Sequence, residues 1–172
     1  LKVGVTNASF LTTLAQVLEE LRAAAAKFQA EIQAVIDSIA ALPTVENIAL
    51  ADEAQLVEVQ NAFDALTADQ KELVTNKDVL PTITAQIATL KLAHDNAIAA
   101  ANVDAAINEL PATVALTDAE KIKQVRALFT ALTPEQQTLV TTLAKLVDAE
   151  SQLTLLNSVV EKPEVTEPEI PQ

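Results

Sequence analysis

The side chains that could do chemistry are few and scattered. His94 is the single histidine, and its possible partners in nucleophilic catalysis are Ser9, Ser38, Ser151 and Ser158. None of these serines sits in the Gly-flanked turn that exposes a nucleophile, because the single glycine is Gly4. Glu19-Glu20, Asp52-Glu53 and Asp118 with Glu120 are carboxylate groupings that could divide general-acid and general-base work. Each also lies where a helix surface or a helix start would carry acids, and there the charge serves solvation or the helix dipole. A metal site needs several converging ligands. With no Cys and one His, the chain offers mainly carboxylates, and they lack the central glycine of a calcium-binding loop. Its acidic faces could hold Ca2+ only loosely. No Gly-rich loop cradles a phosphate. No residue is assigned a catalytic, cofactor-binding or metal-ligating role, no cofactor is expected, and the chain is expected to be a non-enzyme.

The overall composition narrows the partners. The 172 residues carry 24 acidic against 11 basic side chains, for a net charge of −13. Such a surface repels phosphate backbones, and the nine lysines with Arg22 and Arg126 form no basic patch, so no nucleic-acid partner is expected. No apolar run approaches the roughly 18–20 residues that span a bilayer, so no membrane insertion is expected. Half of the chain is hydrophobic, drawn from Ala, Leu, Val and Ile with only four Phe, one Gly and no Trp or Tyr. That mixture favours helices over strands. The chain begins at Leu1 without Met or a signal-peptide pattern, as an excised or processed piece of a longer protein would. A Cys-free, acidic, Ala/Thr-rich chain with a proline-rich tail points by association to the exterior of a bacterium.

What positions these residues is a duplicated scaffold. "NAFDALTADQKELV" at 61–74 returns as "ALFTALTPEQQTLV" at 127–140. Ile39, Leu42 and Pro43 match Ile107, Leu110 and Pro111 at an offset of 68. After a two-residue difference in the next loop, Leu56, Val59, Phe63, Leu66, Thr67, Gln70, Val74, Leu80 and Ile87 match Ile122, Val125, Phe129, Leu132, Thr133, Gln136, Val140, Leu146 and Leu153 at an offset of 66. The two units span roughly 35–90 and 103–156. Apolar positions survive the duplication while polar ones drift, the mark of a shared core rather than a shared active site.

Within each unit the apolar steps of three and four are helical. Thr117-Asp-Ala-Glu120 reads as a capping box. Thr133-Pro134-Glu135-Gln136 and Thr67-Ala-Asp-Gln70 read as N-caps with glutamine at the third position, so "ALT" ends one helix and starts the next at a corner. Asn76 suits a left-handed helix end, and Pro81 suits the first turn of a new helix. The equivalent break near Thr142 is weakly marked, so 134–158 is expected to run straighter than 68–90. Residues 81–110 hold no Pro or Gly after Pro81 and read as one helix of about 30 residues, roughly 45 Å long. On it Ile83, Ile87, Leu90 and Ile98 share one face, and Val103, Ala106, Ile107 and Leu110 lie roughly opposite. One half closes the first bundle and the other opens the second. From Phe10 to Leu42 another helix is expected, with a Leu14, Leu18, Leu21, Ala25, Phe28, Ile32, Val35, Ile39, Leu42 stripe whose first half has no evident partner in the chain. Phe63 and Phe129 read as core plugs rather than ligand-stacking rings, since Phe lacks a polar handle.

The pattern I-x-x-L-P … A-F-x-A-L-T-x-x-Q-x-x-L-V resembles the helical repeat modules of large surface proteins of Gram-positive bacteria, including S-layer-type, adhesin and wall-associated proteins. Family members carry an Ala-Arg and a Tyr before "ALT-x-x-Q". Here Phe63 and Phe129 replace the Tyr, Arg126 answers to the Arg, and Gln60 stands there in the first unit. The resemblance implies three-helix-bundle repeats on a secreted, extracellular protein, without implying an activity.

The expected fold is all-α, with two tandem three-helix-bundle repeats joined by a long shared helix into an elongated whole. Its parts are 1–9 as linker or end of a preceding domain, 10–90 as first bundle, 81–110 as shared helix, 103–158 as second bundle, and 159–172 as a Pro/Glu-rich linker. The expected role is a structural or spacer module at the bacterial cell surface or wall, held between neighbouring domains of a larger polypeptide. A binding module for a cell-wall polymer, host glycan or partner protein is the alternative.

Overall fold

The structure is a computed structural model describing residues 4–160, with side chains from 7 onward. It is all-helical: α1 (Gly4–Ala40), α2 (Glu53–Asp64), α3 (Ala68–Leu73), α4 (Val79–Asn108), α5 (Ala119–Ala131), α6 (Pro134–Leu139) and α7 (Leu143–Val160). Short 3-10 turns, Leu50–Asp52 and Leu116–Asp118, lead into α2 and α5. No strand occurs among the described residues. The chain divides into two compact units between Lys91 and Leu92.

The first unit buries Ile32, Val35 and Ile39 of α1, Leu42 and Ile48 of the following loop, Leu56 and Val59 of α2, Val74, and Leu80, Ile83 and Ile87 of α4. Phe63, Leu66 and Leu90 pack against that core in part. In the second unit the core is Val103 and Ile107 of α4, Leu110 and Val114 of the following loop, Ile122 and Val125 of α5, and Leu146 and Ala149 of α7. Each of these positions has its counterpart in the other unit at the offset read from the sequence. Burying one such aliphatic side chain stabilises by about 1.5–3 kcal/mol, so these stripes dominate each unit's stability.

Several local expectations need correction. Helix α1 begins at Gly4, inside the segment read as a linker. The apolar–polar alternation there is too short to set a strand, and a helix already nucleated downstream propagates through it at the gain of one hydrogen bond per residue. Residues 1–3 and 161–172 lie outside the described residues, and α7 reaches Val160, two residues into the expected tail. Thr117 and Glu120 do not form the cap of α5. The Asp118 carboxylate instead accepts from the Ala115 N–H at 2.9 Å, as Asp52 does from Ala49 at 2.8 Å, and the tight turn places the cap two residues upstream. Asn76 takes no left-handed conformation, since no described non-glycine residue has positive φ. Its side chain donates to the Ile36 carbonyl at 2.9 Å. Finally, α6 stops at Leu139 and α7 starts at Leu143, so 134–158 is broken rather than straight. Ile98 is largely exposed, being past the last apolar residue of the first stripe and before Ala100, where the second begins.

Candidate functional site

The groupings that could do chemistry are dispersed by the fold. Glu19 pairs with Arg22 at 2.8 Å, and Glu20 accepts from Gln16. Glu53 pairs with Lys91 at 2.7 Å, while Asp52 and Asp118 cap turns. His94 is exposed on α4. Among the described residues no three of His, Cys, Asp and Glu converge to hold a metal ion. Surface recesses of about 500 Å³ at Gln29, Ala30, Ile32, Gln33 and Leu73, and of about 290 Å³ at Ala119, Ile122, Lys123, Arg126, Glu150 and Thr154, contain neither His94 nor any of the serines considered above.

The polar side chains that do converge fasten helices to one another. At the two corners the repeated phrase forms reciprocal caps. The Gln70 amide N–H is capped by the Thr67 hydroxyl at 3.3 Å, and the Gln70 side-chain oxygen accepts from the Thr67 N–H at 2.9 Å. Gln136 and Thr133 repeat the pair at 3.3 and 3.0 Å. Each glutamine has a second bond that spacing alone does not reveal. Gln70 Nε2 donates to Glu31 of α1 at 2.6 Å, and Gln136 Nε2 donates to Asn96 of α4 at 3.0 Å. The cap of the short helix is thereby also a tether to the unit's first helix. Gln70 is buried, and with both ends of its amide bonded it avoids the penalty of an unmet polar group.

A denser cluster lies at the break between α6 and α7. The Asp104 carboxylate accepts from the backbone N–H groups of Thr141 and Thr142 at 3.0 and 2.9 Å, and from their hydroxyls at 2.9 and 2.6 Å. Burial raises the Asp104 carboxyl, but the side-chain and backbone hydrogen bonds of Thr142 and Thr141 outweigh it and hold the pKa at about 2. A carboxylate committed to four donors is acting as a distant N-cap for α7, not as a base awaiting a substrate. In the first unit the same joint is made from the opposite side: Asn76, the counterpart of Thr142, reaches back to Ile36, the counterpart of Asp104. One consequence is a buried Asn76 Oδ1 that has no partner.

Arg126 forms a two-armed pair with Glu150, joining α5 to α7, and Glu150 holds the guanidinium above its ordinary pKa. The same guanidinium lies 5.5 Å from the Phe129 ring centre, and Lys71 lies 5.5 Å from that of Phe63. Both rings are half-buried. One side packs on the core, and a cation covers another part of the ring, where cation–π attraction adds to burial. They pack at the edge of the two cores, as expected of core residues, and are only half-buried there.

Among the described residues one apolar surface has no internal partner. Phe10, Leu11, Leu14, Val17, Leu18 and Leu21 project from the first half of α1, with Leu14 and Leu18 each 46 % exposed. Among the described residues no helix is long and apolar enough to cross a membrane. Comparison with known proteins finds no matching family, no matching curated protein and no matching solved structure.

Proposed function

We propose that the chain is a non-catalytic structural module: two three-helix-bundle repeats that space neighbouring domains or subunits of a bacterial cell-surface protein of the S-layer or adhesin kind. One observation carries this reading. What the two units have in common is chiefly a set of buried aliphatics, and three of the polar pairs they keep, Thr67 with Thr133, Gln70 with Gln136 and Asp52 with Asp118, are consumed by capping and tethering. A duplicated catalytic or ligand site would instead keep polar groups with free valences facing a cleft. The uninterrupted helix α4 supplies the means of spacing, because it gives its first half to one core and its second half to the other.

Small-angle scattering tests the spacer. A 172-residue chain folded as one compact body has a radius of gyration of about 16 Å. A spacer is expected to exceed that value clearly, and a profile at the compact value removes the reading. The alternative, a binding module, draws support from the exposed face of α1, which suits a partner protein. A glycan or wall-polymer site is less well served, since the chain has no Trp or Tyr to stack on a sugar.

A further inference from the structure

The exposed stripe of α1 has the spacing of a closing helix. In the first unit the helix that completes the core presents Leu80, Ile83, Ile87 and Leu90, steps of three, four and three. In the second, α7 presents Leu146, Ala149, Leu153 and Leu156 with the same steps. Leu11, Leu14, Leu18 and Leu21 repeat them on α1, in solvent. The spacing along the helix agrees to within one residue. From Leu80 to the last core residue of the following stripe, Leu110, is 30 residues, and from Leu11 to Leu42 is 31. In both cases a closing stripe is followed on one continuous helix by an opening stripe, Ala100, Val103 and Ile107 on α4, Ile32, Val35 and Ile39 on α1.

Two further observations bear on what covers this face. No charged residue occurs from Gly4 to Leu18, around the whole circumference of the helix, although a helix bathed in water ordinarily carries charges on its outer face. Between Leu21 and the buried Ile32 every side chain is exposed, so the first unit's core ends at Ile32 and leaves the stripe outside it. Both units build their bundle in the order opening helix, middle helix, short capped helix, closing helix. That order places the missing helices on the N-terminal side.

We infer that the first half of α1 is the closing helix of a further repeat of the same kind, whose opening and middle helices belong to a segment joined ahead of α1 in the same polypeptide. The occupant is a helical pair with stripes like Ile32-Val35-Ile39 and Leu56-Val59-Phe63. The inference rests on the repeat-module reading above. The two fail separately, because a compact scattering profile of the chain itself removes the spacer, whereas the experiment below addresses only the added repeat.

The test supplies the missing helices from the chain's own units. In one fusion, residues 92–142 precede Ala8, which sets Leu11 where Leu146 stands after α6. In a second, residues 24–76 precede Ala8, which sets Leu11 where Leu80 stands after α3. Hydrogen exchange is followed at the amides of 11–24, in each fusion and in the unmodified chain. Protection in at least one fusion is expected to rise about tenfold or more. The pair Leu14→Lys and Leu18→Lys is expected to abolish that rise while leaving the melting temperature of the unmodified chain in place. Two fusions whose added residues and α1 amides both stay unprotected overturn the inference. So does sedimentation showing that the unmodified chain dimerises at micromolar concentration through this face, with the Lys pair restoring the monomer, because a second copy would then be the occupant.

Discussion

At the residue scale, the polar groups that look most like chemistry are structural fasteners, and Asp104 makes the point quantitatively. It accepts four hydrogen bonds from Thr141 and Thr142, and its pKa falls to about 2. A carboxyl whose folded pKa is depressed adds stability above its unfolded pKa, near 3.9, and loses that contribution as pH falls through the folded value. Asp104→Asn is therefore expected to cost about 1–2 kcal/mol at neutral pH, the range of a lost charged cap. It should also flatten the second unit's acid sensitivity between pH 4 and 2, read by urea unfolding at stepped pH. An unchanged acid limb would show that the carboxylate's charge is not what holds the joint. Phe63 and Phe129 make the opposite point. Each is only part-buried, so Phe→Ala at either site should cost about 2–3 kcal/mol, below the 3–5 kcal/mol of an enclosed ring. Loss of the full enclosed-ring value in thermal or urea unfolding would mean that the cation-covered side of the ring contributes as much as the core-facing side.

At the element scale, the corners between α2 and α3 and between α5 and α6 decide where each unit folds back. Thr67→Ala removes one cap bond and is expected to cost about 1 kcal/mol. Gln70→Ala removes the reciprocal cap and the tether to Glu31, and opens a small void at a buried site, so it should cost roughly twice as much. Equal losses for the two variants in urea titration would mean that the tether contributes nothing. These elements also mark what can be read from a sequence. The capping boxes were legible because donor and acceptor are three residues apart in a helix-start pattern, and so were the stripes, whose period is local. The break at Thr141–Thr142 is only weakly legible, since its cap, Asp104, lies 37 and 38 residues upstream. The cap of α5 departs from the sequence pattern for a related reason. Thr117 and Glu120 fit the pattern, but the 3-10 turn at Leu116–Asp118 makes Asp118 the group within reach of a free N–H. The exposure of the first half of α1 was legible as a stripe without a partner, because no other segment offered a complementary run.

At the scale of the whole molecule, the proposed role depends on one helix. Helix α4 passes without a break from Val79 to Asn108, yet 91–95 contribute no buried side chain to either core. Apart from the contacts of Lys91, which pairs with Glu53, the helix there rests on its own backbone bonds and propensity, which makes it the place to test whether α4 sets a distance. Ala93→Pro removes the bond from the amide at 93 to the carbonyl at 89, and its ring collides with that carbonyl, at a cost of about 3 kcal/mol or more. Leu92, preceding the proline, is also driven out of the helical region. Both cores lie outside the lesion, Ile87 six residues before it and Ala100 seven after it. The chain has no cysteine, so Glu58→Cys and Gln124→Cys, matching exposed positions on α2 and α5, give two unique spin-label sites. In the parent the distance distribution between the labels is expected to be narrow. With Ala93→Pro it should broaden, while the folded cores survive, as reported by native-like hydrogen exchange at 56–59 and 122–125. A distribution as narrow as the parent's would mean that α4 does not set a distance between the units. The spacer would then lose its mechanism even if the repeats themselves stood.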